Sequence, residues 1–191
     1  MTQLELARQG IISPQMKSVA EYEGLEAEVV RHGVANGVIV IPVNAHHSGV
    51  IPCGIGQGLR TKVNANIGTS SDYASIDTEL EKLRVAVDCG ADTVMDLSTG
   101  GDIAVARRTI IGATSLAIGT VPIYQAAIAA VEKYGAIVKM TADDLFAAIE
   151  EQARDGVDFM TVHCGVTRSA IARLKQQGRV TDVVSRGGAF L

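Results

Sequence analysis

Two hydrophobic periods alternate along most of this chain. Ile76, Leu80, Leu83 and Val87 are three or four residues apart, the spacing of one helix face, and Gly90 closes that stretch. Short strand-like runs flank it, Thr61 to Gly68 before and Ala91 to Leu97 after. The alternation then repeats. Ile103, Ala106, Arg107 and Ile110 mark a helix, Ala117 to Tyr124 a strand, and Gln125 to Tyr134 a helix stopped by Gly135. Thr141 opens a further helix, with Asp144 placed as a near match to a capping box and Leu145, Ile149 and Ala153 on its buried face. Val157 to Val162 reads as a strand, Thr167 to Gln177 as a helix closed by Gly178, and Val183-Val184-Ser185 as the start of a fifth strand. The first sixty residues follow a different pattern. Helices are expected over Thr2 to Gln9, from Ser13-Pro14 to Gly24, and over Leu25 to Asn36. A short strand at Val38 to Ile41 follows, then loop from Val43 to Arg60.

Strands that alternate with helices predict an α/β fold with a parallel sheet covered by helices. A doubly wound nucleotide fold places a Gly-rich turn directly after its first strand. Gly68-Thr69-Ser70 is not that turn, and Gly54, Gly56 and Gly58 precede a strand. Every predicted strand instead ends in polar, Gly-containing sequence, as (β/α)₈ barrels do where they keep their chemistry. A complete barrel takes eight strands and about 250 residues. The expectation is therefore a partial TIM-type barrel of about five strands over residues 61–191, truncated, with a small helical cap over 1–60.

Composition narrows the function classes. The chain has 191 residues, 47% of them hydrophobic and 20% charged, enough apolar material for a packed core. A net charge of −4 lacks the basic footprint of a nucleic-acid binder. No apolar run has the length of a membrane helix, and Met1 to Glu5 lacks the pattern of a secretory leader, so a cytoplasmic protein is expected. Cys53, Cys89 and Cys164 are odd in number and far apart, which argues for core filler over a disulfide framework or a zinc ribbon. Adjacent His46 and His47 make a poor metal pair, because neighbouring side chains of extended backbone point apart.

Candidate chemistry gathers at the strand ends. Asn66 carries an amide that both donates and accepts. Asp96, ahead of Ser98-Thr99-Gly100-Gly101-Asp102, is a candidate acid, base or cation ligand, although Thr99 or Asp102 would equally serve as a helix cap. Tyr124 offers a ring and a phenol, and His163 an imidazole. Ser185-Arg186-Gly187-Gly188 combines a hydroxyl, a guanidinium and permissive backbone, a plausible oxyanion or phosphate cradle. Met95 reads as core.

These strings, Asn64-Ala65-Asn66-Ile67-Gly68, Ala91 to Gly100, Gly119 to Ala126, Thr161-Val162-His163 and Val184 to Gly188, resemble the phosphomethylpyrimidine synthase family. The resemblance starts at Thr2-Gln3 with Ala7 to Ile12 and spans essentially the whole chain. It implies a (β/α)₈ barrel and a radical S-adenosylmethionine enzyme of thiamin biosynthesis. That family converts 5-aminoimidazole ribonucleotide to hydroxymethylpyrimidine phosphate. Carried over, its substrate contacts fall on Asn66, Met95, Tyr124, His163, Ser185, Arg186 and Gly187. It also implies a 4Fe–4S cluster, S-adenosylmethionine, a divalent zinc or iron, and a homodimer when full length.

The sequence departs from the family where the cofactors bind. The family's C-x-x-C-x-x-x-x-C motif is absent, and so are its two metal-binding histidines, its Asp-Gly-Leu-Arg motif and its active-site Glu. This chain is expected to supply part of a substrate pocket and to lack turnover by itself. Two alternatives remain open at this level. One is 5-hydroxybenzimidazole synthesis from the same ribonucleotide, and the other is a non-catalytic fragment or binding half-barrel.

Overall fold

The computed structural model describes residues 1–178 and 180–190. Three helices open the chain: α1 (Gln3–Arg8), α2 (Pro14–Glu23) and α3 (Ala27–Ala35). At the head of α1 the Thr2 hydroxyl accepts from the Glu5 N–H, and the Glu5 carboxylate accepts from the Thr2 N–H. Ser13 accepts from the Met16 N–H at the head of α2, with Pro14 at the first helical position. Ala7, Met16, Val19, Ala20, Val30 and Val34 then pack on Ile39 and Ile41 as one apolar cluster. Ile39 belongs to β1 (Ile39–Val40), which pairs antiparallel with β2 (Ile55–Gly56). This second strand lies inside the stretch expected to be loop. Two residues are too few to show an alternation in sequence.

The second cluster belongs to a four-stranded parallel sheet, with strands in the order β3 (Asn64–Ile67), β4 (Thr93–Asp96), β5 (Ala117–Thr120) and β6 (Phe159–Met160). Helices α4 (Ile76–Asp88) and α5 (Ile103–Gly112) make the first two crossovers. A pair, α6 (Pro122–Tyr134) and α7 (Ala142–Asp155), makes the third, with a 3₁₀ turn at Ile137–Lys139 between them. The side chains of Ile67, Val94 and Ile118 meet Leu83, Ile110 and Ile111 under the helices, and Val157 joins them. The alternate residues Asn64, Asn66, Met95, Gly119 and Phe159 occupy the other face. Among the described residues no helix is long and apolar enough to cross a membrane.

Polar bonds join the two clusters. Asp158 accepts from the N–H groups of Asn44 and Ile118, each at 2.8 Å, and its Oδ2 lies 2.7 Å from His47 Nδ1. The buried His47 ring reaches the Thr114 carbonyl at 3.2 Å on its other side. It is a structural group and not half of a metal pair.

Three expectations change. The strand that begins at Ala117 stops at Thr120, and Tyr124 lies in the first turn of α6. Pro122, awkward inside a ladder, is at home at the first helical position. Val183-Val184-Ser185 makes no ladder among the described residues, which leaves four parallel strands and not five. Ser185 instead accepts from the Gly188 N–H at the head of α9 (Arg186–Ala189), which follows α8 (Arg168–Gln176). The cysteines are not core filler: Cys89 and Cys164 are exposed and Cys53 is half-buried.

Candidate functional site

Parallel strands deliver their carboxyl ends to one edge of the sheet, and the candidate residues follow them there. Asn66 and Met95 stand opposite each other in the β3–β4 register. Asn66 is exposed, and its Oδ1 accepts from Asn64 Nδ2 at 2.9 Å. Met95 is half-buried on the face away from the helices, with Thr161 Oγ1 4.0 Å from its sulfur. It is therefore not the helix-side core residue that its type suggests.

Beyond β6, His163 Nε2 lies 2.8 Å from Ser185 Oγ. Gly187 is buried against the same imidazole, where a Cβ would overlap the ring. Any larger residue at 187 would have to displace the His163 ring from beneath α9. His163 Nδ1 is buried and has no hydrogen-bond partner among the described residues. The adjacent Arg186 carries its guanidinium carbon 5.4 Å from the centre of the Tyr124 ring. Phe190 meets that ring edge-on at 6.1 Å.

Arg186 and Asn66 also border one cleft of about 260 Å³, together with Gly68, Ser70, Lys82 and Thr99. Two cations, Lys82 and Arg186, and three hydroxyl-bearing residues, Thr69, Ser70 and Thr99, line it. Lys82 is partly balanced by Glu79 Oε1 at 2.5 Å. Glu79 is itself buried, and its other oxygen accepts from the Gly68 N–H at 2.6 Å. Gly68 has φ +146°, and a Cβ there would run into the backbone of Leu97 and Ser98. Only glycine lets the β3 end approach the β4 end this closely. Of the seven predicted positions, Asn66 and Arg186 line this cleft, Met95 pairs with Asn66 in the strand register, Tyr124 lies against Arg186, and His163, Ser185 and Gly187 are in mutual contact.

Asp96 does not join them. It is buried on the helix side, where its Oδ1 accepts from the Ser98 N–H (2.9 Å) and hydroxyl (2.5 Å). Burial raises its pKa above the usual carboxylate range, although the Ser98 bonds and the charge of Arg107 pull the other way. Asp102 is a helix cap, accepting from the Val105 N–H at 2.9 Å.

Sequence reasoning missed Lys82, which falls mid-helix without a motif, and a buried polar cluster around Arg107. That cluster had a signal. Arg107 shares its helix stripe with Ile103, Ala106 and Ile110, and a charged side chain on a buried stripe needs partners.

Among the described residues no three His, Cys, Asp or Glu side chains are placed to hold a metal ion. The cysteines lie apart, and burial raises the pKa of the Cys53 thiol, which disfavours the thiolate that a cluster requires. The residues present do not fit a 4Fe–4S cluster.

A family model described as the radical SAM ThiC family matches residues 2–191. The phosphomethylpyrimidine synthase of Dehalococcoides mccartyi is 60% identical over 190 residues, and that of Moorella thermoacetica is 60% identical over 191. The enzyme of the same name from Syntrophus aciditrophicus is 53% identical over 190. Each match covers the whole of this chain and 44% of the relative's own length.

Proposed function

The chain belongs to the radical SAM ThiC family, and from that premise we propose that its strand-end cleft is part of the substrate site of a phosphomethylpyrimidine synthase. The substrate in this reading is 5-aminoimidazole ribonucleotide, converted to the pyrimidine phosphate of thiamin biosynthesis. The observation that carries the reading is the cleft itself, in which Arg186 and Lys82 face Ser70, Thr99 and Asn66. A guanidinium and an ammonium suit a phosphomonoester. The Asn66 amide, able to donate and accept, suits the ribose or the aminoimidazole. Met95 and Tyr124 supply polarisable and aromatic surface for a flat heterocycle. The Ser185 hydroxyl and the His163 imidazole supply further polar contacts.

The finer architecture is part of the same proposal. The four strands form one wall of a (β/α)₈ barrel, the face that carries Asn66 and Met95 turned toward its interior, with residues 1–60 as a cap on residues 61–191. S-adenosylmethionine, the 4Fe–4S cluster and a divalent zinc or iron are assigned to segments of the enzyme outside these residues. A cytoplasmic homodimer is the form proposed for the complete protein.

The test is equilibrium binding of 5-aminoimidazole ribonucleotide to a full-length family enzyme carrying these residues. Arg186→Ala is expected to weaken binding by about tenfold to a hundredfold, of the order of 1.4–2.8 kcal/mol. The same change should barely affect the unphosphorylated nucleoside. Equal affinities for parent and variant would remove the site, and a benzimidazole product in the mass spectrum would remove the pyrimidine assignment.

A further inference from the structure

Tyr124 owes its place to a turn of helix with no side-chain cap. Val121, at the cap position of α6, makes no side-chain hydrogen bond, and Pro122 follows it. A helix start of this kind frays unless something else holds it. Here the hold comes from the residue after Tyr124. Gln125 Oε1 accepts from Arg107 Nη1 at 2.7 Å and from Gln152 Nε2 at 2.9 Å, while its Nε2 donates to Glu151 Oε2 at 2.9 Å. Three bonds thus tie one amide to α5 and α7. Gln152 is fixed in turn by Thr120 Oγ1, which donates to its Oε1 at 2.7 Å.

Arg107 is the hub of the cluster. Its side chain is 1% exposed, and it donates to Asp155 Oδ2 from Nε at 3.0 Å and from Nη2 at 2.5 Å, and to Glu151 Oε1 at 2.9 Å. A buried ion cluster of this kind is a poor source of stability, because desolvation offsets its attraction. What it provides is fixed direction, since a planar guanidinium held at three nitrogens leaves the Gln125 amide one orientation. Successive helical residues diverge by about 100°. Gln125 can therefore point into the cluster while Tyr124 points toward Arg186 and Phe190. Tyr124 also borders a void of about 10 Å³ with Asp96, Arg107, Gln125 and Gln152, room for about one water, so little space separates this residue from the cluster.

We propose that Gln125, oriented by buried Arg107, is a positioning residue that sets where the Tyr124 ring stands in the substrate cleft. The proposal rests on the reading of Tyr124 as part of that cleft. Gln125→Met keeps the shape of the side chain and deletes its three bonds. In a full-length family enzyme carrying these residues, it is expected to raise KM for 5-aminoimidazole ribonucleotide about tenfold, with kcat within about threefold of the parent. In a Tyr124→Ala background the same change should add less than about twofold, because the residue it acts through is gone. Exchanging donor and acceptor in Gln125→Glu/Glu151→Gln rebuilds the clamp and should restore KM to within about twofold of the parent. If Gln125→Met does not fold, Gln125→Glu alone, which places two carboxylates together, gives the same readout. A Tyr124→Ala enzyme with impaired binding, beside Gln125 variants of unchanged KM or of effects that multiply fully with Tyr124→Ala, overturns the positioning role alone. A Tyr124→Ala enzyme with unchanged binding overturns the cleft reading and this proposal with it.

Discussion

Residue type announced the chemistry of the strand ends better than its direction. Asn66 and His163 were legible because polar groups at the carboxyl ends of parallel strands share one edge, whereas Arg186 comes to the cleft from α9 and not from a strand end. Asp96 was equally polar and equally terminal, yet it turns to the helix side, because adjacent residues of a strand face opposite ways and Met95 takes the open face. Motif reading alone could not assign which of the two faces the cleft. The buried Asp96 carboxyl has a measurable consequence. Its pKa is raised mainly by burial, so the native state binds its proton more tightly than the unfolded chain does. Its contribution to stability is therefore fully present below the unfolded value and is lost as pH rises through the folded one. Asp96→Asn keeps an Oδ1 acceptor for Ser98 and removes the charge. The variant is expected to melt higher than the parent at pH 7.5, with the gap narrowing as the pH is lowered toward 4. A gap that is constant across that range in thermal melts would show that the carboxylate charge is not the cause.

Helix boundaries were the most legible elements, because caps are written in a few side chains. Ser13-Pro14, Gly24 and Gly135 all lie where the pattern put them. The near match at Thr141 proved to be a complete reciprocal box. Elements that depend on distant partners were less legible. β2 exists only because β1 lies beside it, and Val183-Val184-Ser185, apolar enough for a strand, has no ladder partner among the described residues. At α7 the cap can be tested through its titration. The Thr141 N–H, then the Thr141 hydroxyl and Lys133, hold Asp144 at about 2, below its usual 3.8. The native state thus favours the ionised form. Its contribution is present above about 4 and is lost as pH falls through about 2. Asp144→Ala should lower the thermal midpoint at neutral pH, and the difference from the parent should shrink steadily between pH 4 and pH 2. Helicity of α7 followed by hydrogen exchange would locate the loss, and an undiminished difference at pH 2 would assign it to packing instead.

The molecule is two apolar clusters held together by polar clasps, an arrangement that periodicity cannot reveal because the partners lie from 32 to 114 residues apart in sequence. Asp158 is the centre of one clasp. Its carboxylate takes the Asn44 N–H, the His47 ring and the Ile118 N–H, and the Asn44 side chain adds bonds to the carbonyls of Ala153 and Val157 at 2.8 Å each. A second clasp joins Lys62 to Glu23 at 2.7 Å, and a third joins Arg60 to Asp92 and to the Tyr22 hydroxyl. Of these, the Asp158 clasp binds the segment after β1 to the start of β6, and the Asp158 and His47 side chains are both fully buried. Asp158→Ala strands a buried imidazole and two backbone donors without partners, a loss of about 3–5 kcal/mol. Because the apolar contacts within each cluster are untouched, that loss should fall on the connection and not evenly on the fold. Calorimetry of the parent is expected to show one cooperative transition, and the variant two, the earlier one belonging to α1–α3. Hydrogen exchange should then show residues 14–35 unprotected while β4 and β5 stay protected. A single transition, merely shifted downward, would mean that the apolar contacts between the clusters are enough to hold them as one cooperative unit.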